Sequence, residues 1–209
     1  MRIFTSRILL LWCIWCFPII PATAQTSYTD SIHTHRTKYK QESLTDAQSP
    51  LTVEDTAFLR FYPPQKKYRI VAQLQLSMDT LPFQMQTHSG KIKMYRTYGV
   101  LHFRLNKKQC TLEVYQSMDL LKKESLKDYL FIPFNDLTNY QETYGGGRYL
   151  DVSINDIVNN TIVLDFNKCY NPYCAYAADG YSCPIPPIAN RMNIKVTAGE
   201  KLFGKQVKE

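Results

Sequence analysis

The stretch Val100-Leu101-His102-Phe103-Arg104-Leu105, then Asn106-Lys107-Lys108, then Gln109-Cys110-Thr111-Leu112-Glu113-Val114-Tyr115, decides the fold class. Leu101, Phe103 and Leu105 alternate with His102 and Arg104. Beyond the polar break, Leu112, Val114 and Gln116 alternate with Thr111, Glu113 and Tyr115. Successive strand side chains point to opposite faces, so a period of two on both arms of a turn reads as an antiparallel hairpin. The same reading extends outward. Tyr68, Ile70, Ala72, Leu74 and Leu76 share a face across 68–76. Phe83 to Thr87 and Lys91 to Tyr95 flank the turn His88-Ser89-Gly90. Residues 129–134, 149–154, 161–166 (after the turn Asn159-Asn160) and 192–197 add further strands. About eight short strands with turn signals every 8–12 residues predict a mainly β chain. The expected architecture is a single antiparallel sandwich or barrel-like domain with N-terminal helical decoration. No strand–helix alternation argues for a parallel sheet.

The N-terminus reads as a secretory signal. Arg2 and Arg7 precede an apolar run from Ile8 to Phe17, and Ala22 and Ala24 fit the small-x-small cleavage pattern. The run is about half the ~20 residues of a spanning helix. Cleavage after Ala24 is expected to leave 185 residues, exported to a periplasmic or extracellular location, with no stable membrane span. It also changes the composition. The formal charge of +7 falls to +5, the six cysteines become Cys110, Cys169, Cys174 and Cys183, and both tryptophans, Trp12 and Trp15, leave. A chain of this size buries roughly 70% of its unfolded surface and needs no disulfide merely to fold. The predicted organisation is a signal peptide over 1–24, a polar helical segment over 25–49 that packs weakly, and a β domain over 50–209. Thr52-Val53-Glu54-Asp55 resembles a capping box that starts a short helix carrying Val53, Ala57, Phe58 and Phe61, stopped by Pro63-Pro64.

Residues 136–191 differ from the rest, with Gly145-Gly146-Gly147, six tyrosines before Tyr181, and three cysteines. The glycines allow either an anion nest completed by Arg148 or a sharp bend entering the strand at Tyr149. No Lys-Ser/Thr follows them, which excludes a phosphate-binding P-loop. Arg148 falls on the apolar face with Leu150, Val152 and Ile154, where an arginine needs a partner; Glu142 and Asp165 are the candidates, and the alternative is that Arg148 and Arg191 line a site for an anion. Asn167 and Asn171 suit turns. Cys174 and Cys183 flank the turn-forming Ala177-Ala178-Asp179-Gly180, and in an exported chain a disulfide is the expected state. Pairing of Cys110 with Cys169 follows as a dependent expectation, with free thiols and a metal or catalytic cysteine as alternatives. The C-x₈-C spacing lacks a zinc pattern, so no metal or cofactor is expected.

The chain here resembles a family of uncharacterised bacterial and archaeal proteins, domain of unknown function 1684. The resemblance rests on Glu142-Thr143-Tyr144-Gly145-Gly146-Gly147-Arg148-Tyr149-Leu150-Asp151, Leu164-Asp165-Phe166-Asn167, Tyr170-Asn171-Pro172-Tyr173-Cys174-Ala175-Tyr176, Tyr181-Ser182-Cys183-Pro184-Ile185-Pro186-Pro187 and Asn190-Arg191. Weaker similarity at Pro50-Leu51-Thr52, Phe61-Tyr62-Pro63-Pro64 and Tyr98-Gly99 extends it over roughly 36–205. Cys110 and Cys169 fall outside the family pattern. The family has no established activity, so the resemblance implies positions and not chemistry.

Three functions fit these readings. A binding module would gather Glu142, Tyr144, Arg148, Tyr149, Asp165, Asn167, Tyr170, Asn171, Tyr176, Asn190 and Arg191 around a small ligand, anionic if the arginines receive it. A hydrolase would use Glu142 or Asp165 as acid or base. A structural envelope protein would have no site. The lysines are scattered among turns, where they are solvated and blunt strand edges. No nucleic-acid recognition element appears, so the expected partner is a small molecule or an envelope component, not nucleic acid.

Overall fold

A computed structural model describes residues 27–207. The predicted signal peptide lies outside the described residues. Ser27 caps helix α1 (Tyr28–Thr45) through a capping box with Asp30. The strands follow as β1 (Arg69–Leu76), β2 (Phe83–Gln86), β3 (Ile92–Leu105), β4 (Lys108–Ser117), β5 (Tyr129–Phe134), β6 (Arg148–Ser153) and β7 (Thr161–Asp165). They form one antiparallel sheet in the order β6-β5-β4-β3-β1-β7, with β2 beside the first part of β3. The sheet curls into a half-barrel.

The hairpin of β3 and β4 turns on two residues rather than three. Asn106 and Lys107 both take positive φ, 48° and 68°, the left-handed pair that matches strand twist in a two-residue turn. The segments around Tyr95 and Leu101, expected as separate strands, are one strand. A register shift between Thr97 and Gly99 marks a bulge within it. The extra residue exchanges the two faces. Leu101, Phe103 and Leu105 enter the core inside the curl, whereas Tyr95 packs on the opposite face with Met85, Tyr115, Phe131 and Tyr149. Gly99 fits because a Cβ there would lie 2.6 Å from the Gln75 carbonyl oxygen.

The expected strand over 192–197 is not one. Met192, Ile194, Val196 and Ala198 are buried in alternation, yet the segment joins no strand ladder. It crosses the open side of the curl as an extended strap. The Ile194 carbonyl accepts from the Leu137 amide at 3.0 Å, but those of Val196, Ala198 and Glu200 are taken by the Arg148 guanidinium at 2.9, 2.5 and 3.1 Å. A side chain here replaces the neighbouring strand that buried backbone otherwise requires.

Helix α1 docks more firmly than its sparse apolar residues predict. Ile32 is fully buried and the Tyr39 ring packs on Phe61 and Tyr170, and polar attachments add to them. The Tyr28 hydroxyl donates to Asp165, and Arg36 donates to the Tyr62 carbonyl at 2.8 Å while lying over the Phe61 ring. Thr52 and Asp55 do pair, opening a short 3₁₀ helix over Glu54–Phe58. Val53 and Phe58 are exposed, and Leu59 is the buried apolar residue of that turn.

Candidate functional site

Strand alternation builds the site. In β5, Leu130, Ile132 and Phe134 face the core, so Tyr129 and Phe131 face the other way. In β6, Arg148 and Leu150 face inward and leave Tyr149 and Asp151 on that same outer face, with Phe131 directly across from Asp151. The rings interlock. The Phe131 and Tyr149 centroids are 4.7 Å apart at 76°, and those of Tyr149 and Tyr170 are 5.9 Å apart at 89°. Along this face run the end of α1 and the segment 170–184, framing an open-sided hollow of about 980 Å³. Tyr39, Tyr95, Tyr129, Tyr149, Tyr170, Tyr173 and Tyr181 line it, with Phe131, Asn171, Lys93 and Asp179.

The covering segment is pinned at its far end. Cys174 and Cys183 form a disulfide with Cα atoms 6.3 Å apart. The Cys183 carbonyl accepts from the His88 amide at 3.0 Å, Ile185 donates to the Gln86 carbonyl at 2.8 Å, and the Tyr149 hydroxyl donates to the Pro184 carbonyl at 2.6 Å. The expected Cys110–Cys169 pairing is corrected: both are unpaired, Cys110 at the edge of β4 and Cys169 buried beneath the strap. Burial pushes the Cys169 thiol up to about 11, so it is a poor nucleophile at neutral pH.

Carboxylates stand behind the tyrosine wall. Tyr129 and Tyr170 donate to the two oxygens of Asp151, each at 2.7 Å. Tyr173 donates to Asp46 at 2.5 Å. Glu200, fully buried, accepts from the Tyr176 hydroxyl at 2.7 Å, the Asn171 amide at 2.9 Å and the Tyr39 hydroxyl at 3.3 Å. Burial raises the Glu200 carboxyl to about 7 against these donors. Asp151 keeps one side open to water, yet crowding by protein raises its carboxyl above the usual range, the two tyrosines opposing. Tyr95 is buried and pushed up to about 12 by desolvation; its hydroxyl makes no hydrogen bond to the described residues.

The residues singled out in the sequence divide sharply. Tyr149, Tyr170 and Asn171 line the hollow. Arg148 does not: it is wholly buried on the core side, and its carboxylate partner is Asp136 at 2.5 Å, not Glu142 or Asp165. Glu142 accepts from Tyr62 at 3.0 Å. Asp165 caps the turn at Asn167, and Asn167 ties that turn to Gln65. Asn190 bridges Glu113 and Pro133 through backbone. Tyr176 serves Glu200, Tyr144 packs beside His88, and Arg191 is exposed elsewhere. Gly147 has φ +92° and abuts the Phe134 carbonyl, which makes it a bend in the chain. Asp151, Glu200, Tyr95, Tyr129 and Phe131 were missed. A signal existed for Asp151, which follows Tyr149 by two residues on the same strand face. Among the described residues, no group of three His, Cys, Asp or Glu side chains converges to hold a metal, and no helix is long and apolar enough to cross a membrane.

Comparison with known proteins agrees with this fold. The family described as protein of unknown function, DUF1684, matches residues 55–201. The solution structure of the uncharacterised protein from gene locus rrnAC0354 of Haloarcula marismortui is similar at TM-score 0.64 and 29% identity, covering 82% of this chain and 92% of that one. A search of curated proteins gave no match. With the family matching most of the chain, including the strands, the tyrosine face and the strap, this protein belongs to the DUF1684 family.

Proposed function

We propose that the protein is an exported small-molecule binding module whose ligand occupies the tyrosine-lined hollow. The observation that carries this reading is the hollow itself, about 980 Å³ walled by rings locked edge to face. That volume lies in the range of natural ligand sites, and such sites are mostly apolar with a few placed polar groups. The free hydroxyl of buried Tyr95 supplies one such group. The signal-like N-terminus and the disulfide support export. The arginine-centred cluster is given a structural role in this reading, since both terminal nitrogens of Arg148 are taken by Asp136 and by strap carbonyls.

A thermal-shift screen of small metabolites on the mature chain tests the proposal, with Ala177→Phe as the control that fills the hollow from its covering segment. A ligand should raise the melting temperature of the native chain and not that of Ala177→Phe. A shift that persists in Ala177→Phe, or that vanishes in Arg191→Ala instead, counts against it.

A further inference from the structure

We propose that the hollow is a cage for a compact organic cation, a quaternary or tertiary ammonium group. This rests on the reading of the hollow as a ligand site and names its chemistry. The aromatic faces come first. The face of a tyrosine ring carries negative charge density, and a cation within about 6 Å of the ring centre is attracted to it. Tyr149 and Tyr170 stand at 89° to one another and Tyr173 and Tyr181 at 71°, so the walls form corners along an open-sided hollow rather than one flat platform.

The hydroxyls add a second, independent argument. Three of the lining tyrosines donate to aspartates, Tyr129 and Tyr170 to Asp151 and Tyr173 to Asp46. A phenol that donates to an anion is polarised toward phenolate, which enriches its ring. The carboxylates also place negative charge directly behind the wall, where an anionic ligand would be repelled. Asp179 adds another acid on the covering segment, against Lys93 among the lining residues. The arginines that would welcome an anion are elsewhere, Arg148 in its buried pair with Asp136 and Arg191 on another surface. A neutral sugar fits less well. It needs many free donors and acceptors, and the tyrosine hydroxyls here are largely committed.

The test compares two molecules of one shape. Choline and its uncharged isostere 3,3-dimethylbutan-1-ol are titrated into the mature chain by calorimetry, with tetramethylammonium, glucose and inorganic phosphate alongside. Choline and tetramethylammonium should bind at least ten-fold more tightly than the isostere. Asp151→Asn and Tyr129→Phe should weaken choline several-fold and leave the isostere unchanged. Equal binding of choline and its isostere, or saturation by glucose or phosphate but not choline, overturns the cation assignment and leaves the hollow as a ligand site. Failure of every probe, with Ala177→Phe indistinguishable from the native chain in the metabolite screen, overturns both. The isostere comparison needs no variant, so a variant that misfolds does not protect the proposal.

Discussion

Replacing Arg148 by methionine should destabilise the protein more than any surface change, by an amount the geometry bounds. The guanidinium is wholly buried. It donates to Asp136 at 2.5 Å and to three carbonyls of the strap, at Val196, Ala198 and Glu200. Removing one partner of a buried pair costs about 3–5 kcal/mol because the other charge is stranded. Three carbonyls that face no strand lose their donor as well, so the upper part of that range is expected. For a chain of this length each kcal/mol shifts the midpoint by about 2–4 °C, which predicts a fall of roughly 10–20 °C. Asp136→Asn is the informative companion. It removes the charge but leaves the guanidinium on the strap, so it should cost less than Arg148→Met. Urea denaturation of both variants checks the order. A loss under about 1 kcal/mol for Arg148→Met, or a larger loss for Asp136→Asn, would refute the idea that the arginine holds the strap.

Other expectations follow from the cysteines, the buried acid and the N-terminus. Without reductant, alkylation and intact mass should find only Cys110 reactive in the folded mature chain, Cys110 and Cys169 after unfolding, and all four thiols only after reduction. Replacing Cys174 and Cys183 by serine should cost about 2–3 kcal/mol for a loop of this length, measured by the same denaturation. Glu200 holds its proton to about pH 7 in the folded chain, against 4.5 without the fold. Its contribution is therefore complete below 4.5 and is lost as the pH rises through 7, on the order of 3 kcal/mol. Glu200→Gln should flatten that decline; identical slopes for both chains between pH 4.5 and 7 would refute it. On the proposed export, the secreted form should start at Gln25 and show tyrosine but no tryptophan emission, since Trp12 and Trp15 both precede Gln25.

Strand positions were legible wherever one face met a single core. Leu101, Phe103, Leu112 and Val114 alternate cleanly because both arms of the hairpin line the inside of the curl. The reading broke where one strand serves two cores. The bulge after Thr97 moves Tyr95 to the opposite face from Leu101, and local periodicity sees that as two strands. It also mistook the strap for a strand, since Met192, Ile194, Val196 and Ala198 alternate as strand residues do. What separates strap from strand is the distant Arg148, which periodicity cannot register. The site was legible by region but not by residue. Tyr149, Tyr170 and Asn171 meet at one hollow, whereas Arg148 and Asn190 drew notice as polar residues and satisfy buried backbone. Glu200 went unseen because its partners, Tyr39, Tyr176 and Asn171, converge only in three dimensions, whereas Asp151 shares the strand face of Tyr149 and was legible there.

The central claim is that ligand enters the tyrosine hollow and not the arginine cluster. Backbone amide shifts of the isotope-labelled mature chain, followed by NMR during a choline titration, test it most directly. Saturable shifts are expected only at the residues around Tyr95, Phe131, Tyr149, Asn171 and Ser182. Shifts centred on Gly145 to Arg148 or on Arg191 would contradict it; none up to millimolar choline would overturn the cation assignment.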